Sequence, residues 1–471
     1  MNKRKDNIFD ASKERKLDIT KENIFLLRRL PDFYNLTYLK CEKLGLTELN
    51  VNSLINLVSL NCDYNKLTKL DCSDLNLLQE IRCSNNLISQ LILPPSRRHF
   101  ETLLCNKNKL SQLNILEYPN MKTLYIDSNF FSSIKLDHLP ELVDFSCERN
   151  FFTKLDFSVN KKLKKLSANY NKLTELTGID NVDTLFVIGN RLQTIDTTRM
   201  LILDYFYCAR NRIKYLDVSN CKRLDHFNCA GNPLQQLMLG YLPELRYLYC
   251  DACQLKELDV TNLPSLRKIH CERNYLTTLD LTKNTRLFTV DCSYNYLTTL
   301  QVQDLVDLRV IKCANNLLSK LYVSNLPNLL EILCSNNKLL TLDIKKCIRL
   351  RYLLCEFNLL TTLTLKYPAL QILNCFNNYL TTLDASKCTD LVEINCANNH
   401  IFTLNLTNLK RLNNVIVMNN PLETIDIDNK VLTQLNNLNI SYCPRYRFQA
   451  AQSKFYDSDA VTNIANYLPF E

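Results

Sequence analysis

Apolar residues return along this chain at a fixed spacing, in the phrase L-x-x-L-x-C-x-x-N-x-L. The central position of the phrase falls at Cys41, Cys62, Cys83, Cys105, Ile126, Cys147, Ala168, Val187, Cys208, Cys229, Cys250, Cys271, Cys292, Cys313, Cys334, Cys355, Cys375, Cys396, Val417 and Ile440. Of the nineteen intervals between these twenty anchors, fifteen are 21 residues and the others are 19, 20, 22 and 23. Length alone suggests roughly three domains. So regular a period predicts one solenoid instead, with about 20 coils, each burying its apolar side chains against its neighbours.

Within the Cys271 unit the apolar residues are Leu266, Ile269, Cys271, Leu276, Leu279 and Leu281. The spacing of Ile269 and Cys271 is period 2, which predicts a short strand with alternate residues inward. Leu279-Asp280-Leu281 repeats that spacing and predicts a second short extended segment on the opposite side of the coil. The link from Leu281 to Leu287 is too short for a long helix. Pro119, Pro140, Pro243, Pro264, Pro327 and Pro368, each seven residues before an anchor, fix a bend in the same place. The chain is therefore read as mostly β: a parallel sheet on the concave side and short extended, turn or 3-10 segments on the convex side. At about 4.8 Å per coil the arc is roughly 95 Å long.

Three residues after the anchor stands Asn in seventeen of twenty units, the exceptions being Leu44, Cys253 and Cys443. Solvation does not require an amide at one phase. A stacked amide does, because one side chain that both donates and accepts can satisfy turn backbone in its own coil and the next.

These residues resemble the leucine-rich repeat. The 21-residue unit with its Leu-Asp-Leu half-repeat is similar to the nested ten-plus-eleven class sometimes labelled IRREKO. The resemblance covers residues 36–444 and implies an α/β-type leucine-rich-repeat solenoid. It also implies a protein-binding role, since proteins of this family mostly bind other proteins and a few bind nucleic acids or small ligands. Residues 1–35 fall outside the phase and are read as an N-terminal cap. There, Leu17-Asp18-Ile19 looks like a degenerate half-repeat, and Ile24 and Leu27 have the spacing of a short helix. Residues 445–471 are read as a C-terminal cap, part helical, with Ser458-Asp459 capping a helix that carries Val461, Ile464 and Leu468.

Charge changes the picture little. Lys and Arg number 57 against 48 Asp and Glu, a surplus of +9, and the signs are interspersed. This is a mixed solvated surface and argues against a nucleic-acid footprint. No 18-residue apolar run marks a membrane span. The charged start MNKRKDNIFDASKERK is not a secretory signal. Without an export signal, the odd count of 21 cysteines predicts reduced thiols in an intracellular compartment of the cytoplasmic type.

Thiols are the first candidates for chemistry. Fifteen occupy the anchor slot, which elsewhere accepts Ile, Val or Ala, so it is an apolar slot. Cys221, Cys347 and Cys388 share their phase with Leu54, Leu139, Leu242 and Leu326, and Cys72 shares its phase with Val218 and Val260. Cys250 and Cys253 form a lone C-x-x-C without the second pair that zinc needs. The five histidines, His99, His138, His226, His270 and His400, form no hydrolase or metalloprotease motif, and five glycines do not build a phosphate cradle. No enzyme, metal or cofactor is expected.

A partner is expected on the concave face, where residues one and three before the anchor point outward. The first cluster there is Tyr205, Tyr207, His226, Tyr247, Tyr249 and His270, with Asn228 and Lys268 between them. Tyrosine suits a binding face because it is large, rigid and polar at its tip; equally, exposed tyrosines on strands stabilise a sheet by cross-strand pairing. A second patch is Val310, Leu333, Tyr352, Leu354, Ile372 and Phe376. The reading is a non-enzymatic scaffold that binds an unidentified protein. Two alternatives stand beside it: anion or nucleic-acid binding through Arg149, Arg210 and Arg273, which share a phase but lie three or more coils apart, and a redox or metal role for the thiols.

Overall fold

The computed structural model describes residues 11–95 and 98–443, so the helix expected after Ser458-Asp459 lies outside the described residues. The chain divides into two compact units, Met1–Tyr275 and Leu276–Glu471. Both are parallel solenoids built from the same coil, and the turns number about twenty in all.

In the first unit, three-residue strands follow one another in a main parallel sheet from Lys16–Asp18 to Lys268–His270. In the second they run from Thr289–Asp291 to Asn437–Asn439. Register advances by one whole repeat, as in Tyr205↔His226↔Tyr247 and Glu331↔Tyr352↔Ile372. The half-repeat forms its own short parallel pairs, among them Lys69–Asp71 with Gln90–Ile92 in the first unit. Its counterpart in the second includes Thr382–Asp384, Thr403–Asn405 and Thr424–Asp426. The last described interval, 23 residues long, accommodates a short helix, Asn429–Gln434.

Leu17-Asp18-Ile19 is not a half-repeat. Lys16–Asp18 pairs with Tyr38–Lys40 in the main sheet, and the Ile19 N–H donates to Lys40 O at 2.7 Å as Cys41 N–H does to Asn61 O. Ile19 thus fills an anchor slot, and a 3-10 segment, Ile24–Asp32, follows it.

The core lies between the two strand layers. In the Cys313 coil, Leu308, Ile311, Cys313, Leu318, Leu321 and Val323 are all buried. At about 1.5–3 kcal/mol for each side chain, this burial is the main favourable term, and it exists only because neighbouring coils cover it. All fifteen anchor thiols are fully buried, as are Cys72, Cys221, Cys347 and Cys388. Burial pushes the thiols of Cys41 and Cys396 up to about 12 and those of Cys221, Cys347 and Cys388 up to about 11. They are packing groups.

The asparagine ladder forms as the sequence predicts, with the preceding coil as partner. Asn316 Nδ2 donates to Cys292 O at 3.0 Å and to Cys313 O at 3.1 Å, while its Oδ1 accepts from Leu297 N–H at 3.0 Å. Asn65 does the same with Cys41 O, Cys62 O and the N–H groups of Leu44 and Leu46. Where the amide is missing, Cys253 Sγ substitutes as a weak donor to Cys229 O at 3.2 Å.

The residue two after each anchor has positive φ, from Lys43 (58°) through Arg149 (51°) to Tyr442 (55°). Left-handed backbone costs about 1–2 kcal/mol for a residue with a side chain. The offset is an inter-coil hydrogen bond from that residue's N–H, such as Arg149 to Asn169 O at 2.9 Å or Asn315 to Ser335 O at 2.9 Å. One position earlier, a second side-chain ladder climbs the first unit. Asp127 N–H donates to Asn106 Oδ1 at 3.0 Å, Glu148 N–H to Asp127 Oδ1 at 2.6 Å, and Ile188 N–H to Asn169 Oδ1 at 2.7 Å. Burial raises the Asp127 carboxyl to about 6, against the hydrogen bonds from Ser146 and the Glu148 N–H that favour its charge.

Replacing Asn316 with Ala strands several buried backbone groups, and a urea titration is expected to show a loss of about 3 kcal/mol. A loss below about 0.5 kcal/mol, the range of an ordinary surface change, would show that the ladder is not structural. Asp127 binds its proton more tightly folded than unfolded, so its contribution favours folding below about pH 4 and is lost as pH rises through about 6. Asp127→Asn keeps the acceptor that Asn106 and Asn169 supply at the same phase. The variant should be about 2 kcal/mol more stable than wild type at pH 7.5 and no more stable at pH 4, read from melting curves at the two pH values.

Candidate functional site

The strand residues two before the anchor, and the anchor itself, point inward, so those one and three before it form the outward face of the main sheet. In the first unit this alternation makes two columns. Thr184, Tyr205, His226, Tyr247 and Lys268 align in one, and Phe186, Tyr207, Asn228, Tyr249 and His270 in the other. The six predicted residues are therefore brought together, and each is half-buried.

Their rings touch one another. Tyr205 stacks on His226 with centroids 4.8 Å apart, and His226 on Tyr247 at 4.3 Å, with interplanar angles of 22° and 23°. Tyr249 meets His270 edge-on at 5.2 Å, and Lys268 Nζ lies 5.5 Å from the Tyr249 ring centroid. Cross-strand pairing thus accounts for part of why these residues are here. Phe186, which the sequence reading passed over, packs on Tyr207 at 5.1 Å and extends the face by one strand. Its phase, one residue before Val187, was the available signal.

Beside the first column runs a row of acids, Asp183, Asp204 and Asp225, four before their anchors. Asp225 is buried and takes a two-pronged hydrogen bond from Arg246, through Nε at 2.5 Å and through Nη2. That contact holds the guanidinium more firmly protonated than usual. The same carboxylate lies 3.3 Å from His226 Nδ1, without hydrogen-bond geometry. Asp204 is raised above the ordinary carboxylate range by burial and then by the charge of Asp225. Burial raises Tyr207 and Tyr249 as well, so both phenols stay protonated and can donate or accept. On the other flank the position after the anchor is apolar at Ile188, Ala209 and Ala230 and acidic at Asp251 and Glu272. The face is a slab of packed rings with polar tips, edged on one side by Asp183, Asp204 and Asp225 and then Arg246 and Arg267, and on the other by Ile188, Ala209 and Ala230 and then Asp251 and Glu272. Among the described residues no group of His, Cys, Asp or Glu is placed to hold a metal ion.

The second patch is only partly continuous. Leu333 pairs with Leu354 and Tyr352 with Ile372, but Glu331 separates Val310 from Tyr352. Phe376, which follows its anchor, packs edge-on against Phe357 at 4.7 Å. Arg149, Arg210 and Arg273 all occupy the left-handed turn position, with φ between 51° and 57°, so backbone geometry unites them and no basic stripe forms. Arg149 lies 4.8 Å over the Tyr170 ring.

No family model matches the chain, and no curated protein matches it in sequence. Solved structures do. YopM from Yersinia enterocolitica WA-314 is similar over 86% of this chain and 82% of its own, at 24% identity and a TM-score of 0.67. The Arabidopsis receptor kinase HAESA, solved in complex with the peptide hormone IDA and the co-receptor SERK1, is similar over 93% of this chain and 85% of its own. Its identity is 18% and its TM-score 0.60. The functional domain of InlJ from Listeria monocytogenes, which includes a cysteine ladder, covers 81% of this chain and 72% of its own at 24% identity, with a TM-score of 0.49. At these identities the likeness to YopM and HAESA is one of fold, and it agrees with the repeat phase, the amide ladder and the parallel strands: the chain folds as a leucine-rich-repeat solenoid, and its own buried thiols make the core cysteine-rich.

Proposed function

We propose that this protein is a non-enzymatic scaffold that binds a partner protein on the outward face of the first unit's main sheet, across Tyr205, Tyr207, His226, Tyr247, Tyr249 and His270. The observation that carries this reading is the run of half-buried rings packed over consecutive strands, stacked from Tyr205 to Tyr247 and edge-on at Tyr249 and His270. Rings already held by their neighbours lose little conformational freedom when a partner covers them, so a few aromatic contacts can dominate affinity. The fold supports the coarser statement: leucine-rich-repeat solenoids are typically protein-interaction scaffolds, and HAESA was solved in complex with a peptide hormone and a co-receptor. A core of free thiols suits a reducing compartment of the cytoplasmic type, which we propose as the protein's location.

Tyr207→Ala combined with Tyr249→Ala should lower recovery of the specific partner at least about tenfold, each lost hot spot costing about 2 kcal/mol or more. Affinity purification with quantitative mass spectrometry, beside a melting curve to confirm the fold, reads the result. Unchanged recovery from a folded variant would move the binding face elsewhere. A thiol-specific reagent should leave the anchor cysteines unlabelled in native protein and reach all 21 after denaturation. Rapid native labelling of several anchors would instead favour a thiol-based role.

A further inference from the structure

In the second unit, beside the half-repeat strands Thr382–Asp384 and Thr403–Asn405, lies a cleft of about 820 Å³. Lys366, Lys387 and Lys410 line it, with Ser386, Thr389 and Asn408 between them. Two of these lysines arrive there by the repeat itself. Lys346, Lys366 and Lys387 all stand nine residues before their anchors, on three successive coils, and Lys410 lies two residues beyond Asn408, which takes that phase in the next.

None of these four ammonium groups has a carboxylate within ion-pair distance among the described residues, and all four side chains are exposed. The acids nearby keep their charge, and that of Asp384 is felt by Lys387, but each also has another partner. Asp384 Oδ1 accepts the Ser386 N–H at 3.0 Å, Asp390 pairs with Arg411 at 3.3 Å, and Asp428 Oδ2 accepts the Asn408 N–H at 2.7 Å. Coils about 4.8 Å apart place like charges well inside the Debye length, where they repel. A counter-anion shared between coils removes that repulsion. Lysine suits this task as a flexible point charge that meets phosphate from several directions.

We propose that this cleft binds an anion carrying two or more phosphate groups. A single phosphate cannot offset three ammonium groups spread over three coils, whereas a chain of phosphates, or a ring bearing several, spans them. The chemistry is common to a soluble polyphosphate compound and to a multiply phosphorylated lipid headgroup. The site is independent of the tyrosine face of the first unit.

The test titrates sodium tripolyphosphate into the full chain by calorimetry at an ionic strength of about 0.1 M. Wild type should bind with one saturable site. Lys366→Gln with Lys387→Gln should weaken binding at least about tenfold, the effect of losing charged hydrogen bonds. Lys320→Gln with Lys338→Gln, which removes the same charge from other exposed positions of this unit, should change it less than about twofold. Equal weakening in both pairs would mean general attraction to net charge, and absence of saturable binding would mean no site; either overturns the proposal. A second arm uses phosphatidylcholine vesicles with and without phosphatidylinositol bisphosphate. Sedimentation with the phosphorylated vesicles that is lost in Lys366→Gln/Lys387→Gln identifies a headgroup as the source. Tripolyphosphate binding without sedimentation identifies a soluble one.

Discussion

A buried amide that serves two coils at once is the interaction on which both solenoids depend. A coil of 21 residues must turn sharply after each strand, and the turn leaves carbonyls and N–H groups pointing into the interior. Asn65, Asn316 and their equivalents meet both needs from one side chain, donating to carbonyls of two coils and accepting from the N–H groups of the earlier one. An apolar residue there would leave those groups unsatisfied in a low-dielectric interior, which is more costly than the packing it would gain. The amide therefore fixes coil spacing, and the coil spacing lets leucines and thiols at equal height bury one another.

The left-handed residue two after the anchor follows from the same turn. It carries Asn in many coils of the second unit, at 315, 336, 377, 398 and 419, and Gly at 189 and 231 in the first. These are residue types that tolerate positive φ. Tyr, Lys and Arg at the same place are held there by the N–H bond to the neighbouring coil. Gly178 answers a different demand. It lies in the 19-residue interval, where an added Cβ would approach Ser158 N and Phe157 C to within 2.3 Å. The shortened coil presses its backbone onto the one before it.

The rigidity that results is what makes the outward face a candidate for recognition. Residues one and three before each anchor lie outside the leucine and thiol core, so packing there does not dictate an apolar side chain, yet the strands hold them in fixed columns. Tyr205, His226 and Tyr247 become a stack because the register puts them there. On the half-repeat side the same regularity gathers lysines from separate coils into one cleft. In both places the repeat converts a residue chosen once per coil into a surface.

The period, the inward slots, the ladder asparagine and the strand-turn-strand character of each coil were legible in the chain alone, because they depend on local alternation and spacing. So was the composition of the tyrosine face, since phase assigns each residue to a side. What the sequence did not disclose were relations between coils. The fork from Arg246 to Asp225, the packing of Phe186 on Tyr207, the sign of φ after each anchor and the main-sheet role of Lys16–Asp18 are examples. Such contacts join residues about one repeat apart, and side-chain reach and backbone direction decide them only once neighbouring coils are stacked.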